Sequence, residues 1–351
     1  MERTRVLIVD DSALFREMLT ASLGRATDVE VVGTAPDPLV AWTQIKALRP
    51  HVLTLDLEMP KMDGLTFLAN LMAHHPMPVV VVSSLTQRGC ATTMRALEMG
   101  ALEVVEKPKL DLRTGTVALE QELLNKVRAA AHCRVSALVP KKPRPRVEKV
   151  AAARGPLLSR TTEKIIAVGA STGGTEALAS FFSALPADAP GILVVQHMPA
   201  RFTSTFAERL NRLSRVRVKE AVHGDRVLPG HALVAPGNYH MSLRRSGAQY
   251  IVDVTDGPAV SGHRPSVDVL FHSCAKYAGA NAVGVLMTGM GADGAEGLLA
   301  MRKANGHTFA QDEATCVVFG MPKEALKCHA VDRCLPLHDL APAAIEAVLG
   351  A

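Results

Sequence analysis

Two sets of residues in this chain are spaced for chemistry, and the first surrounds Ser171 in Gly169-Ala170-Ser171-Thr172-Gly173-Gly174. The apolar run Lys164–Val168 precedes this segment and a helical pattern, Thr175–Ala184, follows it. A serine on a sharp turn between strand and helix is open to a substrate, and the helix's first amides favour negative charge beside it. That charge is an oxyanion if the serine is a nucleophile, or a phosphate if the turn is only an anion cradle. A nucleophilic serine needs a base, and the base needs an orienting carboxylate. His197, in Gln196-His197-Met198-Pro199, follows the apolar run Ile192–Val195, and Asp293, in Thr288-Gly289-Met290-Gly291-Ala292-Asp293-Gly294, follows Ala282–Met287. His263, in Ser261-Gly262-His263-Arg264-Pro265, is the alternative base; Asp268 and Asp312 are alternative carboxylates, without glycines on both sides. The order Ser, His, Asp is not the Ser, Asp, His of α/β-hydrolases. No two histidines fall at metal-ligand spacing.

The second set is acidic. Val6–Val9 ends in Asp10-Asp11, Val52–Leu55 runs into Asp56, Val79–Val82 runs into Ser83, and Val104-Val105 is followed by Lys107. If these runs are parallel strands, their carboxyl ends share one edge, and three carboxylates, a hydroxyl and an ammonium converge there. Clustered carboxylates repel unless a cation joins them, and hard oxygen ligands suit Mg²⁺. The chemistry that uses this set is phosphoryl transfer to an aspartate, with the metal, a lysine and a hydroxyl holding the phosphoryl oxygens.

Continuous apolar runs alternating with amphipathic helical stretches, such as Ala13–Leu23, Thr92–Met99 and Arg201–Leu213, predict α/β folding with parallel strands buried on both faces. Further strands are expected at His231–Ala235 and Tyr250–Val254. A chain of 351 residues suits two domains. Between them, from about Cys133 to Arg160, periodicity fades, and Lys141-Lys142-Pro143-Arg144-Pro145-Arg146 places four positive charges in six residues. No aromatic residue interleaves with these charges, so the segment is expected to be a flexible basic linker rather than a nucleic-acid contact. Composition, 48% apolar and 21% charged, is that of a soluble globular protein. The six scattered cysteines fit a reducing compartment. No signal peptide opens the sequence and no apolar run is long enough to span a bilayer, so a cytoplasmic protein without membrane insertion is expected.

Residues 4–122 resemble a two-component receiver domain, on Val9-Asp10-Asp11-Ser12, Leu55-Asp56-Leu57-Glu58-Met59-Pro60-Lys61-Met62-Asp63-Gly64, Ser83-Ser84 and Lys107-Pro108. The resemblance implies that Asp56 is the phospho-acceptor, that Asp10, Asp11, Asp56 and the backbone carbonyl of Glu58 hold Mg²⁺, and that Ser83 and Lys107 contact the phosphoryl group. Many receivers carry an aromatic switch residue where this chain has Val104. Residues 160–349 resemble the catalytic domain of the chemotaxis methylesterase (CheB) family, on the serine, histidine and aspartate segments above and Arg264-Pro265-Ser266-Val267-Asp268. Here the implied roles are Ser171 as nucleophile, His197 as general base and Asp293 as orienting acid. Thr172 and Met290 would line the site, and the Met290 amide would be an oxyanion donor. Residues 123–159 fall between the two, as a helix end and linker. The resemblance implies a flavodoxin-like receiver followed by a Rossmann-like esterase, each a doubly wound parallel sheet. It also implies a phosphorylation-activated enzyme that hydrolyses glutamate γ-methyl esters, and deamidates particular glutamines, on methyl-accepting chemotaxis receptors. Its phosphodonor would be a chemotaxis histidine kinase, and the ester reaction would use no cofactor. A receiver with a phosphate-binding or nucleic-acid-binding output domain is the competing expectation. The nucleic-acid version calls for a compact helix-turn-helix, whereas some 190 residues of α/β pattern follow the linker.

Overall fold

The computed structural model describes residues 3–59, 63–84, 86–107, 116–134 and 163–349. The basic segment 141–146, and Pro60, Lys61, Met62 and Pro108 of the receiver motifs, lie outside the described residues. The chain divides into two compact units, Met1–Pro140 and Lys141–Ala351.

In the first unit the strands are β1 (Thr4–Val9), β2 (Val29–Ala35), β3 (Val52–Asp56), β4 (Val79–Ser83) and β5 (Glu103–Glu106). The helices are α1 (Ala13–Gly24), α2 (Pro38–Leu48), α3 (Gly64–His74), α4 (Gln87–Glu98) and α5 (Thr116–Ala131). The sheet runs β2-β1-β3-β4-β5, all parallel. Every residue of β3 and β4 is buried, which is why Val52–Leu55, broken only by Thr54, and Val79–Val82 read as apolar runs. Side-chain caps start the first four helices: Ser12 accepts from the Phe15 amide, Asp37 from Leu39 and Val40, Asp63 from Leu65, and Thr86 from Gly89. Strand order reverses between β1 and β3, so the crevice at their carboxyl ends is the switch point where such folds bind ligands.

The second unit contains β6 (Ile165–Ala170), α6 (Gly174–Ser183), β7 (Gly191–Gln196), α7 (Phe202–Leu213), β8 (Arg217–Glu220) and β9 (His231–Val234). The hairpin β10 (His240–Ser246) and β11 (Gln249–Thr255) follows, then α8 (Val267–Tyr277), β12 (Ala282–Leu286) and α9 (Ala295–Lys303). The unit ends with β13 (His307–Gln311), α10 (Met321–Lys327), β14 (Arg333–Leu335) and α11 (Leu337–Leu349). A seven-stranded parallel sheet runs β14-β13-β12-β6-β7-β9-β8. Phe181, Phe182, Phe202, Phe206 and Phe271 are fully buried in its core. Here the order reverses between β6 and β12. The run expected at Tyr250–Val254 is indeed a strand, but it pairs antiparallel with β10 outside the main sheet. Its alternating burial, with Tyr250 and Val252 inward, is that of a half-exposed ribbon. Among the described residues, no helix is long and apolar enough to cross a membrane.

Candidate functional sites

In the first unit, oxygens of Asp10, Asp11 and Asp56 lie within 4.8 Å of one another. Lys107 Nζ, just past β5, reaches Asp10 Oδ2 at 2.8 Å and Asp56 Oδ2 at 2.7 Å. Burial pushes the Asp10 carboxyl up, against the pull of Lys107. Burial also opposes the charge on Lys107, but its bonds to Asp10 and Asp56 outweigh that and hold it above its ordinary value. Asp10 and Asp56 are almost fully buried while Asp11 is exposed, so charge collects at an edge that solvent can reach. Three carboxylates so close together are a hard-oxygen donor set that fits Mg²⁺. The Glu58 amide donates to Asp56 Oδ1 at 3.0 Å, and Ser84 Oγ donates to the Glu58 carboxylate. Gly64 packs against this turn: a Cβ there would lie 2.7 Å from Leu57 Cα. Ser83 Oγ, buried at the end of β4, accepts from Thr93 Oγ1 of α4 at 2.7 Å. Val104 is buried in β5 opposite Val81, so no ring occupies that position.

In the second unit, Ala170 of β6 is paired with Gln196 of β7, and Ser171 and His197 come next on each strand. Adjacent strands lie about 4.8 Å apart, which sets the scale of their separation. The His197 amide donates to the Ala170 carbonyl at 3.2 Å and the Ser171 amide to the Thr288 carbonyl at 3.0 Å. Gly173 begins α6 with φ 76° and without a side-chain cap, leaving the helix's first amides directed at the turn that carries Ser171. Gly289 has no room for a side chain, because a Cβ there would lie 2.8 Å from Ser171 Cβ and 2.2 Å from Met321 Sδ. Thr172 is buried beside Ser171, its carbonyl accepting from Thr288 Oγ1 at 2.9 Å, and Met290, half-buried, follows Gly289.

His197 Nε2 lies 2.7 Å from Asp293 Oδ2. With Nε2–H donating to the carboxylate, the neutral ring carries its lone pair on Nδ1, which is buried and has no hydrogen-bond partner among the described residues. Asp293 also accepts from Ser266 Oγ (2.7 Å), the Val267 amide (2.7 Å) and the Asp268 amide (3.0 Å), so it caps α8 while it holds His197. Burial works against its charge, but the His197 contact and the amide and hydroxyl donors prevail and hold its pKa well below the usual carboxylate range.

The competing residues have other occupations. His263 stacks on His197, centroids 3.8 Å apart and planes 12° from parallel. Asp312 accepts from the Thr315 amide and hydroxyl. Asp268 Oδ1 accepts from the Gly297 amide of α9 at 2.7 Å. Burial, reinforced by the charge of Asp293, raises the Asp268 pKa. A carboxyl whose folded pKa is raised favours folding most when protonated and loses that contribution as pH rises through the folded value. Asp268→Asn, which keeps the acceptor for Gly297 and removes the buried charge, should therefore melt higher than wild type at neutral pH. The gain should shrink as the pH is lowered through the range in which Asp268 itself takes up a proton. Melting curves across pH 4 to 8 (roughly the span over which carboxyl pKa shifts act) check this; a uniform loss at every pH would contradict it.

A receiver-like unit with an acidic strand-end cluster, followed by a parallel α/β unit carrying Ser and His at adjacent strand ends and Asp in the loop between β12 and α9, defines a class: response regulators with an α/β output domain. The comparisons narrow it. The CheB methylesterase family model matches residues 166–344, and the response regulator receiver domain model matches 6–115. A protein-glutamate methylesterase/protein-glutamine glutaminase 1 of Geobacter metallireducens is 59% identical over 341 residues, covering 96% of this chain and 93% of the relative. A protein-glutamate methylesterase/protein-glutamine glutaminase of Salmonella typhimurium is 55% identical over 337 residues, covering 96% and 95%. The crystal structure of the Thermotoga maritima CheB methylesterase catalytic domain superposes with a TM-score of 0.52 at 36% identity, covering 53% of this chain and 99% of that one. The chain belongs to the CheB methylesterase family.

Proposed function

We propose that this protein is a phosphorylation-regulated serine esterase that hydrolyses glutamate γ-methyl esters on methyl-accepting chemotaxis receptors and deamidates particular receptor glutamines. The observation that carries the reading is the His197–Asp293 contact at 2.7 Å, with His197 Nδ1, without a hydrogen-bond partner among the described residues, one residue past the Ala170–Gln196 strand pair that Ser171 also follows. Ser171 Oγ attacks the ester carbonyl as His197 Nδ1 takes its proton, and the Met290 amide receives the oxyanion beside the N-terminus of α6, whose dipole favours negative charge there. The proton then passes to the leaving methanol. His197 next draws a proton from water, which attacks the acyl-enzyme and restores the glutamate carboxylate and Ser171. A glutamine follows the same course with ammonia as leaving group. Asp293 stabilises the imidazolium and fixes its ring; Thr172 lines the approach.

In the receiver, Asp56 accepts a phosphoryl group from a chemotaxis histidine kinase. Asp10, Asp11, Asp56 and the Glu58 carbonyl would hold Mg²⁺, whose charge offsets that of the phosphoryl oxygens, while Lys107 and Ser83 contact the phosphoryl group. The protein acts in the cytoplasm. A fluorophosphonate probe tests the esterase: it should label the full chain on Ser171 and leave Ser171→Ala unlabelled. An unlabelled wild type would favour a phosphate-cradle role for the glycine-rich turn.

A further inference from the structure

The side-chain amide of Gln196 lies beneath both Ser171 and His197. Gln196 ends β7 and is 2% exposed. Its Nε2 donates to the Ser171 carbonyl at 2.9 Å and to the His197 carbonyl at 3.2 Å. One NH₂ group thus spends a hydrogen on each of the two residues. The amide orientation follows from its partners, since the opposite flip would set Oε1 against two carbonyl oxygens.

The bridge stands where main-chain pairing stops. Register between β6 and β7 ends at Ala170 with Gln196, and the His197 amide to the Ala170 carbonyl is the last rung. Beyond it Ser171 turns into α6, its carbonyl also taking the Gly174 amide at 2.7 Å, while His197 enters the loop that leads to α7. Space is reserved for the amide, because a Cβ on Gly174 would come within 2.1 Å of Gln196 Oε1. That Oε1 is itself buried without a hydrogen-bond partner among the described residues. An unsatisfied buried acceptor opposes folding. An apolar side chain of equal length would avoid this penalty but give up both donors, so the two effects offset one another and what the amide adds is a tie between the two carbonyls.

We infer that Gln196 is a positioning residue, a clamp that sets the distance between Ser171 Oγ and His197 by holding both carbonyls after the strands part. It touches neither substrate nor reacting atom. The inference rests on the serine-esterase reading. An ångström of misplacement between reacting groups can lower a rate on the order of 100-fold without altering binding.

The test uses the full chain and a fluorophosphonate probe, separating the maximal rate of Ser171 modification from the probe concentration at half that rate. For Gln196→Met the maximal rate should fall roughly 10- to 100-fold. Half-saturation should stay within about threefold, with labelled sites per chain and melting temperature near wild type. A merely structural role would lower the number of labelled sites or the melting temperature and leave the rate per site intact. A rate per site within about twofold of wild type overturns the clamp. If the wild type itself is not labelled, the esterase reading has failed instead. Should Gln196→Met not fold, Gln196→Glu, which keeps the shape but loses the paired donors, is judged by the same criteria. In the wild type, the Gln196 side-chain amide protons should exchange roughly tenfold or more slowly than those of exposed Gln249, and equal rates also overturn the clamp.

Discussion

Ser171→Ala and His197→Ala should each reduce receptor demethylation by roughly 10³-fold or more, and the double variant should be little slower than either, because residues acting as one unit lose their joint effect once. The geometry supports a unit: the two residues leave adjacent paired strands at the same level, and the base ring is held at Nε2 by Asp293 and on one face by His263. Asp293→Asn should behave differently. It transfers no proton, so its effect on turnover should be the smallest of the three substitutions, whereas its effect on stability should be the largest. Asp293 takes two donors on each oxygen, Ser266 Oγ and the Asp268 amide on Oδ1, His197 and the Val267 amide on Oδ2. An asparagine accepts on one side only and turns an NH₂ towards the other pair. The loss expected for leaving such buried groups unpaired is ~2–5 kcal/mol. Because its folded pKa is depressed, the stabilising contribution of Asp293 is complete above the ordinary carboxylate value of about 4 and is lost as pH falls towards the folded value. The wild type's advantage over Asp293→Asn should therefore narrow in acid. Turnover with methylated receptor, together with melting temperatures at pH 7 and below pH 4, checks both halves. Full turnover in His197→Ala would transfer the base role to His263.

What could be read from the residues follows from where each signal is kept. Parallel strands buried on both faces are mostly apolar, so the centres of β1, β3, β4, β6, β7 and β12 stand out as apolar runs, interrupted in β3 only by Thr54, and the residue after each run marks a strand end. Ser171, His197 and Asp56 were legible for that reason. Sheet edges carry a weaker signal: β2 is largely half-exposed, and β8 alternates exposed with buried positions. Neither has the pattern of a core strand. The separate β10–β11 hairpin was hidden because register between strands is a tertiary property, and a valine-rich run serves a ribbon as well as a core. Ser266 appears as an ordinary helix-capping serine; only the fold shows its hydroxyl donating to Asp293 from 27 positions away. The stacking of His263 on His197 likewise joins two loops that share no periodicity.

Phosphorylating Asp56 in the full-length chain should raise receptor demethylation by roughly tenfold, the effect of a ~1.4 kcal/mol bias on a minor active population. In the unphosphorylated receiver Lys107 is divided between Asp10 and Asp56. A phosphoryl group on Asp56 replaces that carboxylate with about −1.5 to −2 charges and three strong acceptors. Lys107 and Ser83 would then turn to the new oxygens. Ser83 now accepts from Thr93 of α4, so turning its hydroxyl towards the phosphoryl group would realign that bond and shift α4 against the end of β4. With Val104 where an aromatic switch would stand, the Thr93–Ser83 bond gives α4 a side-chain link to the phosphorylation site, beside the links that α1 makes through Phe15 to Lys107 and Arg16 to Asp10. Two units on one chain are at high effective concentration, so even a weak inhibitory association would be populated, and a modest change in the receiver would shift it. Asp56→Asn should accordingly remain at the unphosphorylated rate when given a small phosphodonor, and take up no acid-labile phosphate. The fragment 160–351 should exceed the unphosphorylated whole; the Thermotoga maritima catalytic domain, which spans 53% of this chain, has been crystallised as a unit. Rates for the four preparations decide the sign. A fragment slower than the unphosphorylated chain would mean that the receiver assists catalysis, and phosphate uptake by Asp56→Asn would move the acceptor to another carboxylate of the cluster.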